Sequence, residues 1–149
     1  MILCSRRSMI LLLAALLAAG CDGYKPPKGV VVTGKVVKDG KPLEVPRRDV
    51  GLGSVEVRIV PMGDDTQKRG IETSHAEKDG TFKIVGAGRG VPPGKYRVAV
   101  LHQNQGFGSD ALNGAFSDTK SPIEIEVPKS GGSFDVGTLE LNEVGKKKP

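Results

Sequence analysis

Apolar and polar residues alternate along most of this chain, in short runs separated by glycine, proline and Asp-Gly pairs. Val30 to Val37 is rich in β-branched residues and stops at Lys38-Asp39-Gly40-Lys41, a tight-turn signal. Val55-Glu56-Val57-Arg58-Ile59 alternates, and Pro61 closes it. Residues 71–77 are a weaker candidate strand, after which Lys78-Asp79-Gly80 turns the chain into Thr81-Phe82-Lys83-Ile84-Val85. Tyr96, Val98 and Val100 alternate with Arg97 and Ala99, and Ile123-Glu124-Ile125-Glu126-Val127 repeats the pattern. Phe134 and Val136 share one phase, whereas Leu139 and Leu141 share the other. Because the side-chain period of a strand is two, that slip predicts a bulge near Gly137. Seven short strands with one apolar face each predict an all-β, antiparallel sandwich. No segment after residue 20 keeps a 3.6-residue period, and no strand–helix alternation calls for a parallel α/β sheet.

One run breaks the alternation. Met9 to Ala19 is uncharged and almost wholly aliphatic, and Arg6 and Arg7 precede it. A positive flank, a short apolar run and small residues form the layout of a secretion signal. The run holds 11 residues, whereas a helix spanning a bilayer needs roughly 20. The expectation is a cleaved signal helix rather than a lasting membrane span. Leu17-Ala18-Ala19-Gly20-Cys21 ends the run and resembles the lipobox of bacterial lipoproteins. The resemblance implies removal of residues 1–20 and acylation of Cys21, with more than one chain, which gives stable attachment to a bilayer. Residues 21–29, with Gly23, Pro26, Pro27 and Gly29, then form a lipidated extended tether.

The remaining 129 residues are enough for one domain with its own core. Of the two cysteines, Cys4 leaves with the signal and Cys21 carries the lipid, so the body is expected to hold no disulfide. The formal charge of +5 falls to +3 without Arg6 and Arg7, and the charges are interleaved. With no concentrated basic face, six aromatics and no Trp, nucleic acid is not an expected partner. Residues 142–149 read as a basic, solvated tail ending in Lys146-Lys147-Lys148.

Several pieces taken in order resemble the carboxypeptidase regulatory-like, transthyretin-like domain of small bacterial lipoproteins. They are Val32-Thr33-Gly34-Lys35-Val36-Val37, Asp39-Gly40-Lys41-Pro42-Leu43, Val55 to Pro61, Asp79-Gly80-Thr81-Phe82, Val91-Pro92-Pro93-Gly94-Lys95-Tyr96-Arg97-Val98, and Phe116-Ser117-Asp118 leading into Ser121-Pro122-Ile123. The resemblance covers residues 30–141. It implies a seven-stranded Greek-key sandwich, prealbumin-like or Ig-like, with a structural or interaction role and no catalysis. Residues 44–53 lengthen the usual link between the first two strands and are expected to form a surface loop.

A search for chemistry returns little. His75 and His102 are the only histidines, and there is no His-Glu-x-x-His. A catalytic zinc normally takes three protein ligands, so no metal and no cofactor is expected. The Tyr-Arg-led C-terminal tetrapeptide of transthyretin-like hydrolases is absent, and so is a Gly-x-Ser-x-Gly elbow. Gly86-Ala87-Gly88-Arg89-Gly90 lacks the Gly-Lys-Ser/Thr ending of a phosphate loop and reads as a connector. The most site-like segment is His102 to Lys120, long, polar and glycine-rich, with Asn104, Gln105, Asp110, Asn113 and Asp118 as candidate ligand-binding residues. Asp110, Asn113 and Asp118 carry oxygens suited to calcium, but their spacing matches no calcium loop. Phe107 and Phe116 are expected to pin this loop to the sandwich. The partners expected from these readings are a lipid bilayer, through acylated Cys21, and another envelope protein. The alternative is a carbohydrate or small ligand held by the 102–120 loop.

Overall fold

The alternating runs become seven strands in two sheets in the computed structural model, which describes residues 29–63, 69–104 and 108–142. The strands are β1 (Val30–Val37), β2 (Ser54–Pro61), β3 (Glu72–His75), β4 (Thr81–Ile84), β5 (Gly94–Gln103), β6 (Glu124–Val127) and β7 (Gly132–Glu140). One sheet has the order β4-β1-β7 and the other β3-β2-β5-β6. The expected signal helix, the Cys21 anchor, Gln105, Phe107 and the Lys146-Lys147-Lys148 tail lie outside the described residues. Among the described residues no helix is long and apolar enough to cross a membrane.

The fold is all-β, as the alternation predicts, but one pairing corrects the antiparallel expectation. β1 pairs with β4 antiparallel and with β7 parallel. The cause lies in the connections. β6 runs antiparallel to β5 and ends opposite Gly94, at the end where β5 starts. Residues 128–131 carry the chain across to the other sheet at that same end, where β1 also starts. β7 therefore leaves in the direction of β1.

The bulge falls where the phase slip places it. Thr33 pairs with Asp135 and Lys35 with Thr138, two steps on β1 against three on β7. Gly137 takes φ 74 and donates its N–H to Asp135 Oδ1 at 2.9 Å. The extra residue lets Phe134 and Val136 pack on one side of the bulge, and Leu139 and Leu141 on the other, against one core.

Inward positions of both sheets fill that core. Val32 and Val36 of β1, Val57 and Ile59 of β2, Ile84 of β4 and Tyr96, Val98 and Val100 of β5 are all 1 % exposed or less. Burying each such side chain contributes about 1.5–3 kcal/mol. The Tyr96 hydroxyl is satisfied by donating to the Pro92 carbonyl at 2.8 Å, and the Arg69 guanidinium stands 5.1 Å from its ring centroid. Burial raises the Tyr96 pKa above its ordinary value.

Turn chemistry agrees with the sequence. Asp39 and Gly40 both take positive φ between the paired Lys38 and Lys41. Asp79 Oδ1 accepts from the Thr81 N–H at 3.0 Å and the Thr81 hydroxyl at 2.7 Å, which holds its carboxyl below the usual range. Residues 44–53 form an exposed loop with a short 3-10 turn, Arg48–Val50. It is fastened by Arg48 Nη1 donating to the Ala76 carbonyl and by an exposed Lys78–Asp49 ion pair at 3.0 Å.

Candidate functional site

The 102–120 segment lies along the edge of β5. Beyond Arg97, β5 has no strand beside it on the β6 side, so its outward N–H and C=O groups need other partners. The loop supplies them. Val98 N–H donates to the Ile123 carbonyl and Val100 N–H to the Phe116 carbonyl, both at 2.9 Å. His102 N–H donates to Asp110 Oδ1 at 3.0 Å, and the Ser121 hydroxyl donates to the Val98 carbonyl. The segment stands in for a missing strand, and Leu112 and Phe116 enter the core as its anchors.

The candidate residues serve this arrangement unequally. Asp110 Oδ1 also accepts from the Leu112 N–H at 3.0 Å, and Asp110 Oδ2 accepts from the Gly114 N–H at 2.9 Å. Its carboxylate thus folds the loop on itself. Asn113 is exposed at φ 52, a backbone position that Asn tolerates. Asn104 is half-buried just after β5. Asp118 lies elsewhere, over the outer face of β2 and β5, where its Oδ2 meets Arg58 Nη1 at 3.5 Å and its Oδ1 is buried without a hydrogen-bond partner. The structure does not bring Asp110, Asn113 and Asp118 to one point through any shared contact.

Asp118 belongs to a charged network that sequence reasoning missed. Arg58 Nε meets Glu56 Oε1 at 2.7 Å, and that contact raises the Arg58 pKa. Arg97 Nη1 donates to the carbonyls of Asp118 (3.3 Å) and Thr119 (3.1 Å), and Arg97 Nη2 lies 3.8 Å from Glu124 Oε1. Ala99, opposite Arg58 on the ladder, is fully buried although its phase points outward, because this segment covers it. The network clamps the end of the loop to the sheet.

A small concavity of about 100 Å³ lies between Asn113, Ala111 and Phe116 of the 102–120 loop and Lys38 and Leu141, and two larger grooves are lined by other segments. A groove of about 550 Å³ crosses the outer face of the three-stranded sheet. Two cross-strand rows form its floor, Lys83-Thr33-Asp135 and Thr81-Lys35-Thr138, and His75 and Glu77 form its wall. Hydroxyls, two ammonium groups and two carboxylates facing one groove can hold a polar ligand by hydrogen bonds. The polar phase of β1 and β4 is readable in the sequence, but the register that aligns these rows is not. A second groove, of about 560 Å³, lies between Pro42, Val45, Arg48 and Lys78, and the 44–53 loop makes one side of it.

The histidines are apart in role. His102 Nε2 is 2.8 Å from the Glu44 carbonyl, whereas His75 is exposed on β3 opposite Glu56. Among the described residues no group of three or more His, Cys, Asp or Glu is placed to hold a metal ion. No family model, no curated protein and no solved structure matches the chain.

Proposed function

We propose that this chain is a lipid-anchored envelope protein whose sandwich is a non-catalytic structural or protein-interaction module. The observation that carries the reading is Leu17-Ala18-Ala19-Gly20-Cys21 closing an uncharged run behind Arg6 and Arg7. Acylated Cys21 would tether the body to a cell membrane, on its periplasmic or exterior side. Cys21 stands nine positions before the first residue of β1, so the tether reaches at most about 30 Å. Anchoring raises the effective concentration of weak contacts at that surface.

The carboxypeptidase regulatory-like, Greek-key reading draws support from the strand order. β2 and β3 lie in one sheet, and β4 returns to the other to pair with β1, as a fourth Greek-key strand returns beside the first. The N-terminal peptide of the protein taken from native membranes tests the anchor. A diacylglyceryl thioether on Cys21 as first residue is expected, and an unmodified Cys21 or another start would remove the reading. A crosslinked pull-down from native envelopes tests for the partner.

A second reading is a carbohydrate- or small-ligand-binding module. The groove over Thr33, Lys35, Thr81 and Lys83 favours it and gives it a location. The 102–120 loop spends Asp110 on its own backbone and is the weaker candidate. A glycan-array signal abolished by Thr33→Trp would support this reading, and a signal unaffected by it would move the site elsewhere.

A further inference from the structure

We propose that Asn113 is a site of spontaneous modification, where the Gly114 nitrogen converts the side-chain amide to a carboxyl group, and that Asp110 restrains this reaction. Asn113-Gly114 is the one Asn-Gly pair in the sequence. The fold calls for that pair. Ala115 N–H donates to the Leu112 carbonyl at 3.0 Å, and Asn113 and Gly114 between them take φ 52 and φ 71. Positive φ at both central positions makes a type I′ turn, which favours Asn followed by Gly. The same pair is chemically vulnerable. Gly114 has no side chain to shield its nitrogen, and Asn113 is exposed to water.

In the reaction the Gly114 nitrogen gives up its proton and bonds to Asn113 Cγ. The Cγ–Nδ2 bond breaks, and Nδ2 takes up a proton and leaves as ammonia. Water then opens the five-membered ring at either of its carbonyl carbons. One product is an aspartate, and the other is an isoaspartyl linkage whose main chain runs through Cβ and Cγ. Two features of the loop oppose the first bond. Gly114 N–H is committed to Asp110 Oδ2 at 2.9 Å, and a carboxylate there disfavours a negative nitrogen beside it. A type I′ turn also sets that nitrogen on the far side from Asn113 Cβ, so the turn must open before the ring can close. Asp110 opposes the opening as well. Its Oδ1 accepts from the His102 and Leu112 N–H groups, and its carbonyl accepts from the Asn113 N–H, each at 3.0 Å. Local opening of this turn therefore sets the rate. The isoaspartyl product adds a backbone carbon inside the turn. Phe116, two positions after Gly114, supplies the carbonyl that covers Val100 N–H, so conversion loosens the cover on the β5 edge.

The test incubates the full chain at mildly alkaline pH and follows the tryptic peptide 98–120 by mass, with fragmentation separating Asn113 from Asn104. In urea strong enough to unfold the chain, Asn113 is expected to convert ahead of Asn104 and Asn142. In the folded wild type its conversion is expected to be at least about tenfold slower, because a bond to a charged acceptor must first open. Asp110→Ala should convert at least about tenfold faster than the wild type. Wild type brought by dilute urea to the unfolding free energy of Asp110→Ala is expected to stay slow. Conversion of Asn104 before Asn113 would overturn the site. Equal rates in folded and unfolded wild type, or a rate unchanged or lowered by Asp110→Ala, would overturn the restraint. So would matched urea that speeds the wild type as much as the substitution does, since global stability would then be the cause. Should Asp110→Ala not fold, Asp110→Asn keeps an acceptor without its charge and is expected to convert at an intermediate rate. A wild-type rate in that variant overturns the role of the carboxylate.

Discussion

The Asp110 carboxylate accepts backbone N–H groups from three residues, His102, Leu112 and Gly114, and so closes a turn on the edge of β5. Hydrogen bonds to a charged acceptor contribute more than neutral ones, and removing the acceptor leaves half-buried donors without partners. Asp110→Ala is therefore expected to lower stability by about 3 kcal/mol in urea denaturation, and Asp110→Asn by less. A residue kept only for a ligand would show no such loss. Tyr96 makes a second prediction at this scale. Its pKa is raised by burial, so its contribution is fully present below the unfolded-state value of about 10 and is lost as pH rises through the folded value. In alkaline titration of stability, the wild type should lose more above about pH 10 than Tyr96→Phe does. An equal loss in both proteins would mean that the buried phenol is not responsible.

Two glycines two positions apart, Gly88 and Gly90, in one connecting element, separate conformational need from crowding. Gly88 takes φ 80 with open space around it, whereas Gly90 takes φ 83 against the backbone of Gly29. Gly88→Ala should lose only the left-handed penalty, about 1–2 kcal/mol. Gly90→Ala adds a backbone overlap and should lose about 3 kcal/mol or more. Thermal melts of the two variants check the difference, and equal losses would contradict the close approach. Elements themselves were legible because burial of one face writes itself as alternation, and the Gly137 bulge was legible because a bulge shifts the phase. The parallel β1–β7 pairing was not, since the same alternation serves a strand in either direction. The groove rows and the Arg58–Asp118–Arg97 network escaped for a related reason. Each depends on register and on chain crossing between strands, while the residues involved look like ordinary outward polar positions. The edge-covering role of the 102–120 loop was not legible because a polar, glycine-rich composition suits a site and an edge cover equally. Phe107 and Phe116, aromatic residues inside a polar run, hinted at the second, and Leu112 joins Phe116 in the core.

At the scale of the whole molecule the first and last strands are neighbours. β1 has two partners, β4 and β7, and β7 brings Leu139, with Leu141 just beyond it, to close the core. The three-stranded sheet is thus incomplete until nearly the whole chain is present. Without β7, one edge of β1 would offer eight residues of unpaired backbone beside a core open to water. A chain ending at Val127 is expected to give no cooperative unfolding transition by circular dichroism and to aggregate, although it keeps six of the seven strands. The full chain should unfold in one step. The same argument covers redox conditions. Both cysteines, Cys4 and Cys21, precede β1, so nothing covalent ties β1 to β7. Adding a thiol reductant should leave the melting temperature unchanged, and a drop on reduction would show that packing and the β1–β7 ladder are not what hold the two ends of the chain together.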